Sequence, residues 1–121
     1  MLIVDTVHEV TSKGESFDRS LTISKALRAL AIELGIVVIG VAQFKDGFEE
    51  KADERPRKHW LKGGTHMAQD PTDIWLLHRP DLHSSRVELI IDKRRHGEPG
   101  QIVNLDFRAD VARFEDWRGS R

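Results

Sequence analysis

The chain has 121 residues, and its 39% apolar and 32% charged composition predicts one soluble globular domain spanning residues 1–121. Its net charge of −1 excludes a global field for nucleic acid, so contact with a polyanion depends on local basic clusters. The absence of cysteine excludes disulfides and thiolate metal sites and fits a reducing cytoplasm, and no apolar run is long enough to cross a membrane.

The first third of the sequence predicts a strand, a helix and a second strand. Residues 2–4 are apolar and end in the acid Asp5, which is typical of a buried strand with a carboxylate at its end. Residues 11–18 are polar and predict a loop. A helix follows and ends at Gly35, with one apolar face made of Ile23, Leu27, Leu30, Ala31 and Leu34. Residues 36–42 are continuously apolar, which predicts a strand buried on both faces of a parallel sheet and therefore a βαβ unit.

The rest of the sequence predicts a long loop and more strands. Residues 43–62 are charged and lack periodicity, which indicates a loop, and loops of this length are usually functional or disordered. Residues 74–77 predict a buried strand. Residues 87–91 and 102–107 flank a glycine-rich turn and predict a β-hairpin, followed by a short final segment. The predicted fold class is α/β, with a mostly parallel sheet that ends in a C-terminal antiparallel β-hairpin.

Several segments, in chain order, resemble DnaB-like replicative DNA helicases over nearly the whole chain. They are residues 23–34 and 37–43, residues 51–56, Gln69-Asp70 with residues 76–79, residues 90–97, and Arg113-Phe114-Glu115. The resemblance implies the C-terminal half of a RecA-type ATPase core, which is a partial P-loop NTPase fold. It also implies a hexameric, cytoplasmic motor of bacterial or phage origin that uses ATP and Mg²⁺ to move on single-stranded DNA.

The phosphate-binding part of such a core is missing from these residues. The family's phosphate-binding loop and catalytic glutamate lie upstream of the strand at Leu2, and the Gly-x-x-x-x-Gly-Lys-Ser/Thr pattern occurs nowhere in the sequence. We therefore expect no tightly bound ATP and no hydrolysis by this chain alone. A chain that opens inside a strand suggests that its start was cut from something longer or lost, and we expect unpaired strand edges and uncovered apolar surface.

The resemblance assigns nucleotide roles to four residues. Asp5 orders water around the Mg²⁺ of Mg-ATP, although an aspartate after a strand also commonly starts a turn. Gln43 senses the γ-phosphate, with a water-facing strand end as the alternative. Lys93 and Arg95 lie two apart, so on a strand they share one face. The resemblance places them against the ATP of the neighbouring subunit, where the arginine acts as a finger, and a solvated basic hairpin is the alternative.

A basic segment that includes Trp60 is the candidate DNA-binding region. Cations and an aromatic ring can bind phosphates and stack on a base. By resemblance the DNA-binding residues are Arg55, Arg57, Lys58, Lys62, Gly63 and Gly64. The alternative is a charged surface loop whose acids cancel its field. The six histidines match no zinc-binding spacing, so we expect no structural metal.

Two functions from different classes remain open at this stage. The first is a part of an ATP-dependent DnaB-type helicase. The second is a non-catalytic module that binds a helicase or recombinase partner, or single-stranded DNA, without hydrolysing ATP.

Overall fold

The computed structural model describes residues 1–10, 16–47 and 54–119, without the side chains of residues 16–18. It divides into two compact units. The first comprises Met1–Phe48 and Lys58–Pro71, and the second comprises Glu49–Arg57 and Thr72–Arg121.

The first unit contains the predicted βαβ arrangement. Strand β1 (Leu2–Asp5) pairs in parallel with strand β2 (Val38–Val41), and Val4 lies opposite Gly40. Helix α1 (Ser16–Leu34) connects them and is followed by Gly35, whose φ of 61° is the left-handed conformation that ends many helices. The predicted order of strand, helix and strand is confirmed, although the helix begins earlier than the loop prediction allowed. Residues 11–15 of that loop lie outside the described part of the chain.

The core of the first unit lies on one face of this strand pair. Val7, Ile23 and Met67 form a buried cluster, and Val4, Leu27 and Ala42 pack against it. Val7 belongs to a short 3-10 turn, Val7–Glu9, which follows β1. A Cβ added at Gly40 would lie 2.6 Å from Cγ1 of Val7. Glycine at this position therefore allows the turn to pack closely against β2.

The other face of the strand pair is uncovered in the described structure. Ile3 lies opposite Ile39, one step along from the core-facing pair of Val4 and Gly40. Because successive residues of a strand point to opposite faces, Ile3, Ile39 and Val41 face away from the core, and they are 56%, 41% and 41% exposed. The prediction that residues 36–42 are buried on both faces is wrong. The expectation of uncovered apolar surface is confirmed, and β1 and β2 pair only with each other among the described strands.

A second helix packs on α1 within the first unit. Helix α2 (Gly64–Gln69) follows a 3-10 turn at Lys58–Trp60, and it ends at Gln69-Asp70, one of the segments that resemble the helicase family. The hydroxyl of Ser24 donates to the Met67 carbonyl at 3.5 Å, and Arg28 donates to the Asp70 carbonyl at 3.1 Å. These donors satisfy carbonyls at the C-terminal end of a short helix.

The second unit is a four-stranded antiparallel sheet. Its strands are β3 (Asp73–His78), β4 (Arg86–Arg94), β5 (Ile102–Arg108) and β6 (Arg113–Asp116), and they lie side by side in chain order. The predicted hairpin is confirmed as β4 and β5. The α/β class is also confirmed, but parallel pairing is limited to β1 and β2, and the antiparallel part extends beyond the hairpin to four strands. Alternate residues of β3 are exposed, so it is a half-buried strand.

No helix in the described ranges has the length and apolar character needed to span a membrane.

Candidate functional site

Asp5 and Gln43 lie at the same edge of the parallel strand pair. Asp5 is the last residue of β1 and lies opposite Val41, which ends β2, and Gln43 follows Val41 by two positions. Both residues are exposed. Because parallel strands end at the same edge of a sheet, the residues predicted to meet Mg²⁺ and the γ-phosphate lie at one edge of the strand pair.

His8 joins these two strand ends and was missed as a site residue. Its Nε2 accepts the backbone N–H of Gln43 at 3.2 Å. Partial burial lowers the pKa of His8 below its usual 6.5, and the charge of Lys62 lowers it further. The neutral ring is therefore the favoured form, and only a neutral ring nitrogen can accept this bond. The sequence showed His8 only as one of six histidines without zinc-binding spacing, because nothing in it signals a partner 35 positions away.

Gln43 also contacts the end of the basic segment. The backbone N–H of Lys62 donates to the Gln43 carbonyl at 2.8 Å, and that of Lys45 donates to the Trp60 carbonyl at 2.9 Å. Phe44 and Leu61 form an antiparallel bridge between these contacts. The predicted phosphate sensor and one predicted DNA-binding cation are thus joined directly through the backbone.

Gly63 has a packing role in the structure, and Gly64 shares its left-handed backbone. Both have positive φ values, 93° and 57°. A Cβ at Gly63 would lie 2.5 Å from Oγ and 2.8 Å from Cβ of Ser20 on α1. The close approach of α1 to the start of α2 therefore requires glycine at position 63.

Arg55 forms an ion pair with a buried acid. Its Nε donates to Oε2 of Glu88 at 2.8 Å, and its NH2 donates to Oε1 at 3.1 Å. The guanidinium thus holds the carboxylate through two parallel bonds. Arg57, two residues along, is exposed.

Glu88 is the centre of a polar cluster in the antiparallel sheet. It is 3% exposed and also accepts from Arg86 at 3.0 Å, while Nδ1 of His78 lies 3.4 Å from its Oε2. The hydrogen bond from Arg55 is the main reason that its pKa falls to about 2. The sequence did not reveal this cluster, because a single glutamate in a strand ordinarily faces water.

Lys93 lies near the end of β4, and Arg95 lies just beyond it. Strand β4 ends at Arg94, so Arg95 falls in the turn, where its N–H donates to the Thr72 carbonyl at 2.9 Å. A register shift opposite Ile74 and Trp75 leaves Asp92 as an extra residue of β4, just before Lys93. The shared face was predicted for two residues on one strand, and Arg95 lies outside the strand, so the shared face stays a prediction. Arg95 itself is exposed.

The predicted site residues are divided between the two units. Asp5, Gln43, Lys58, Lys62, Gly63 and Gly64 belong to the first, and Arg55, Arg57, Lys93 and Arg95 belong to the second. Within the described ranges, no group of three or more histidine or acidic side chains could hold a metal ion. The exposed carboxylate of Asp5 fits a Mg²⁺ held through water and by phosphate oxygens, since Mg²⁺ usually keeps several waters.

Comparison with known proteins identifies the class. The family described as DnaB-like helicase C terminal domain matches residues 1–116. Among solved structures, the ATPase domain of G40P matches with a TM-score of 0.77 and 28% identity, over 90% of this chain and 40% of that one. The chain is therefore a RecA-like α/β ATPase domain in its fold. It belongs to the DnaB-like helicase C-terminal domain family.

Curated relatives agree with this membership. The replicative DNA helicase DnaB of Pasteurella multocida is 31% identical over 125 residues, which cover 96% of this chain and 27% of that protein. The replicative DNA helicase DnaB of Leifsonia xyli is 32% identical, with the same coverage of 96% and 27%. This chain thus spans about a quarter of the length of the relatives that it matches.

Proposed function

We propose that this chain is the C-terminal part of the ATPase core of a DnaB-type replicative helicase that uses ATP to move on single-stranded DNA. Asp5 holds Mg²⁺ through water, Gln43 senses the γ-phosphate, and Lys93 and Arg95 reach the nucleotide of a neighbouring subunit in a hexamer. The basic segment from Arg55 to Gly64 contacts the DNA. The 121 residues alone do not hydrolyse ATP, because the Gly-x-x-x-x-Gly-Lys-Ser/Thr loop, whose backbone amides bind the β- and γ-phosphates, is absent from their sequence.

One observation carries this proposal: the edge at which Asp5 and Gln43 emerge is continuous with the basic segment. His8 accepts from Gln43, and Gln43 accepts from Lys62. A change in position of Gln43 on contact with a phosphate therefore has a direct backbone route to a cation of the basic segment. This is the coupling that an ATP-driven DNA motor requires, since nucleotide state must alter the grip on DNA.

The exposed face of the strand pair suggests where the rest of the core packs. Parallel sheets occur almost only where both faces are covered, and Ile3, Ile39 and Val41 remain uncovered in the described structure. The matched ATPase domain of G40P is longer, with this chain covering 40% of it. We propose that the preceding part of such a core packs on this face.

A chimera tests the proposed activity. The part of the Pasteurella multocida helicase that precedes its matched region is joined ahead of Met1, and ATP hydrolysis is measured with and without single-stranded DNA. We expect DNA-stimulated hydrolysis by the chimera and none above background by the 121-residue chain. Asp5→Asn should lower the turnover of the chimera by about 100-fold, because developing phosphate charge loses its Mg²⁺ positioning.

Asp46→Asn is the matched control, since Asp46 is an exposed acid in the same unit and should leave turnover unchanged. Full turnover in the Asp5→Asn chimera, or hydrolysis by the isolated chain that Asp5→Asn abolishes, contradicts the proposal. A folded but inactive chimera that still binds single-stranded DNA favours the non-catalytic module.

A further inference from the structure

A buried carboxylate lies in the middle of the antiparallel sheet. Glu88 is opposite His78 on β3 and opposite Asn104 on β5, so its side chain is flanked on both sides by neighbouring strands. Its neighbours along β4, Val87 and Leu89, are apolar. Burying a charge in such a place is costly unless it is paired and hydrogen-bonded, and an apolar residue often gives equal or greater stability. Stability alone therefore does not explain the choice of glutamate.

The partners of Glu88 show what the charge holds in place. Arg86 is on the same strand and also donates to Oδ1 of Asn104 at 3.0 Å, so it belongs to the sheet. Arg55 comes from outside the sheet, 33 positions earlier in the chain, and supplies both Nε and NH2. Next to it, Pro56 is buried. The segment that carries Arg55 is thus fixed to β4 by a two-point bond within the same unit.

We propose that Glu88 and Arg55 are positioning residues, which hold the part of the basic segment in the second unit so that Arg57 contacts the phosphates of single-stranded DNA. This inference rests on the proposed function and revises one part of it, since Arg55 anchors the segment and Arg57 contacts the DNA. A guanidinium can bind a phosphate through two parallel hydrogen bonds, but in Arg55 the two donors, Nε and NH2, already bind the carboxylate of Glu88. Arg57 is exposed two residues along.

The salt dependence of DNA binding distinguishes a contact from an anchor. For a single strand, each neutralised phosphate contributes roughly 0.7 to the slope of log K against log salt concentration. The affinity of the full chain for a fluorescein-labelled oligothymidylate is measured by anisotropy over a salt series. Arg57→Ala should lower this slope by about 0.7, and Arg57→Lys should restore it. Arg55→Lys keeps the charge but loses the two-point bond, so it should weaken binding roughly tenfold without changing the slope.

The direction in which Glu88→Gln changes DNA affinity distinguishes a positioning role from a purely electrostatic effect. Removal of a negative charge near a DNA-binding segment strengthens binding by electrostatics alone. A positioning role predicts the opposite, namely binding weakened by roughly tenfold, because the segment loses its anchor. Circular dichroism checks that each variant is folded. Should Glu88→Gln fail to fold, Arg55→Lys tests the same ion pair from its exposed side, since the Arg55 side chain is 58% exposed.

The outcomes separate this inference from the proposed function. Weaker binding in both Glu88→Gln and Arg55→Lys, with the slope unchanged, supports the positioning role. Equal or tighter binding in Glu88→Gln overturns it, as does an Arg55→Ala slope that falls as far as that of Arg57→Ala, and both leave DNA binding by the chain intact. Absence of binding by the unaltered chain overturns the proposed function together with this role.

Discussion

At the scale of single residues, the site depends on an uncharged histidine. His8 accepts from Gln43 only in its neutral form, and burial and Lys62 favour that form, while the charge of Glu9 opposes them. The unfolded chain takes up a proton near the usual pKa of 6.5, and the folded chain takes it up only at lower pH. His8 therefore stabilises the fold above pH 6.5, and this contribution is lost as the pH falls from 6.5 toward the lower pKa of the folded state.

His8→Gln tests this pH dependence. Glutamine keeps an acceptor oxygen but does not titrate between about pH 7.5 and pH 5.5. We expect the unaltered chain to lose stability over this range more steeply than the His8→Gln variant, measured by urea unfolding at each pH. His83→Gln, which changes an exposed histidine, should keep the slope of the unaltered chain. Equal slopes in the unaltered chain and His8→Gln contradict the assigned role.

The acid side of the pH range reports on a second residue. The pKa of Glu88 falls from 4.5 to about 2 on folding, so its ion pairs stabilise the fold above pH 4.5. That contribution is lost as the pH falls from 4.5 toward 2. We expect Glu88→Gln to flatten the acid unfolding profile in this window. A Glu88→Gln profile as steep as that of the unaltered chain shows that the carboxylate is not held charged by Arg55.

At the scale of elements, the close packing of helix α1 against the start of α2 depends on the lack of a Cβ at Gly63. Gly63 and Gly35 both have positive φ, but of the two only Gly63 has neighbours within 4 Å of an added Cβ, namely Ser20 at 2.5 Å and Met67 at 3.3 Å. Gly35→Ala should cost about 1 kcal/mol for backbone strain. Gly63→Ala should cost about 3 kcal/mol, because the clash with Ser20 is added to that strain.

A double variant separates the clash from the strain at Gly63. Ser20→Gly removes the two atoms closest to the new Cβ and leaves only Cβ of Met67 at 3.3 Å, so Gly63→Ala should be less destabilising in the Ser20→Gly background. Chemical denaturation of the four chains gives the coupling. Equal costs of Gly63→Ala in the two backgrounds would mean that α1 and α2 are not held together in this way.

The order of the elements could be predicted from sequence more fully than their environment. Residues 36–42 predict a strand because they are apolar and β-branched, and β2 is there. Their hydrophobicity does not say whether a second layer covers them. The same holds for the site. Asp5 could be placed at a strand end and, like Gln43, given a nucleotide role by resemblance. The bond of His8 to Gln43 and that of Arg55 to Glu88 join positions 35 and 33 apart, and no local pattern encodes them.

At the scale of the whole molecule, the exposed face of β1 and β2 predicts that a longer ATPase core covers it. Ile3 and Ile39 lie on the uncovered side of a two-stranded parallel sheet, and such a pair is marginally stable without further strands or a second layer. In the chain of 121 residues this face meets water. In a complete ATPase core of the matched length, the proposal places the preceding part of the core on it.

The same substitution measured in two contexts tests that placement. Ile39→Thr replaces an apolar side chain that is 41% exposed, so its cost in the 121-residue chain should be small. In the chimera with the preceding part of the core, the same change should cost about 1–2 kcal/mol more, because Ile39 is then buried against a second layer. Ile32→Thr is the control, since Ile32 is on α1 and 70% exposed, and its cost should be equal in both contexts. Equal costs for Ile39→Thr in the two contexts would mean that this face stays in water, and the exposed apolar residues Ile3, Ile39 and Val41 would then need a different explanation.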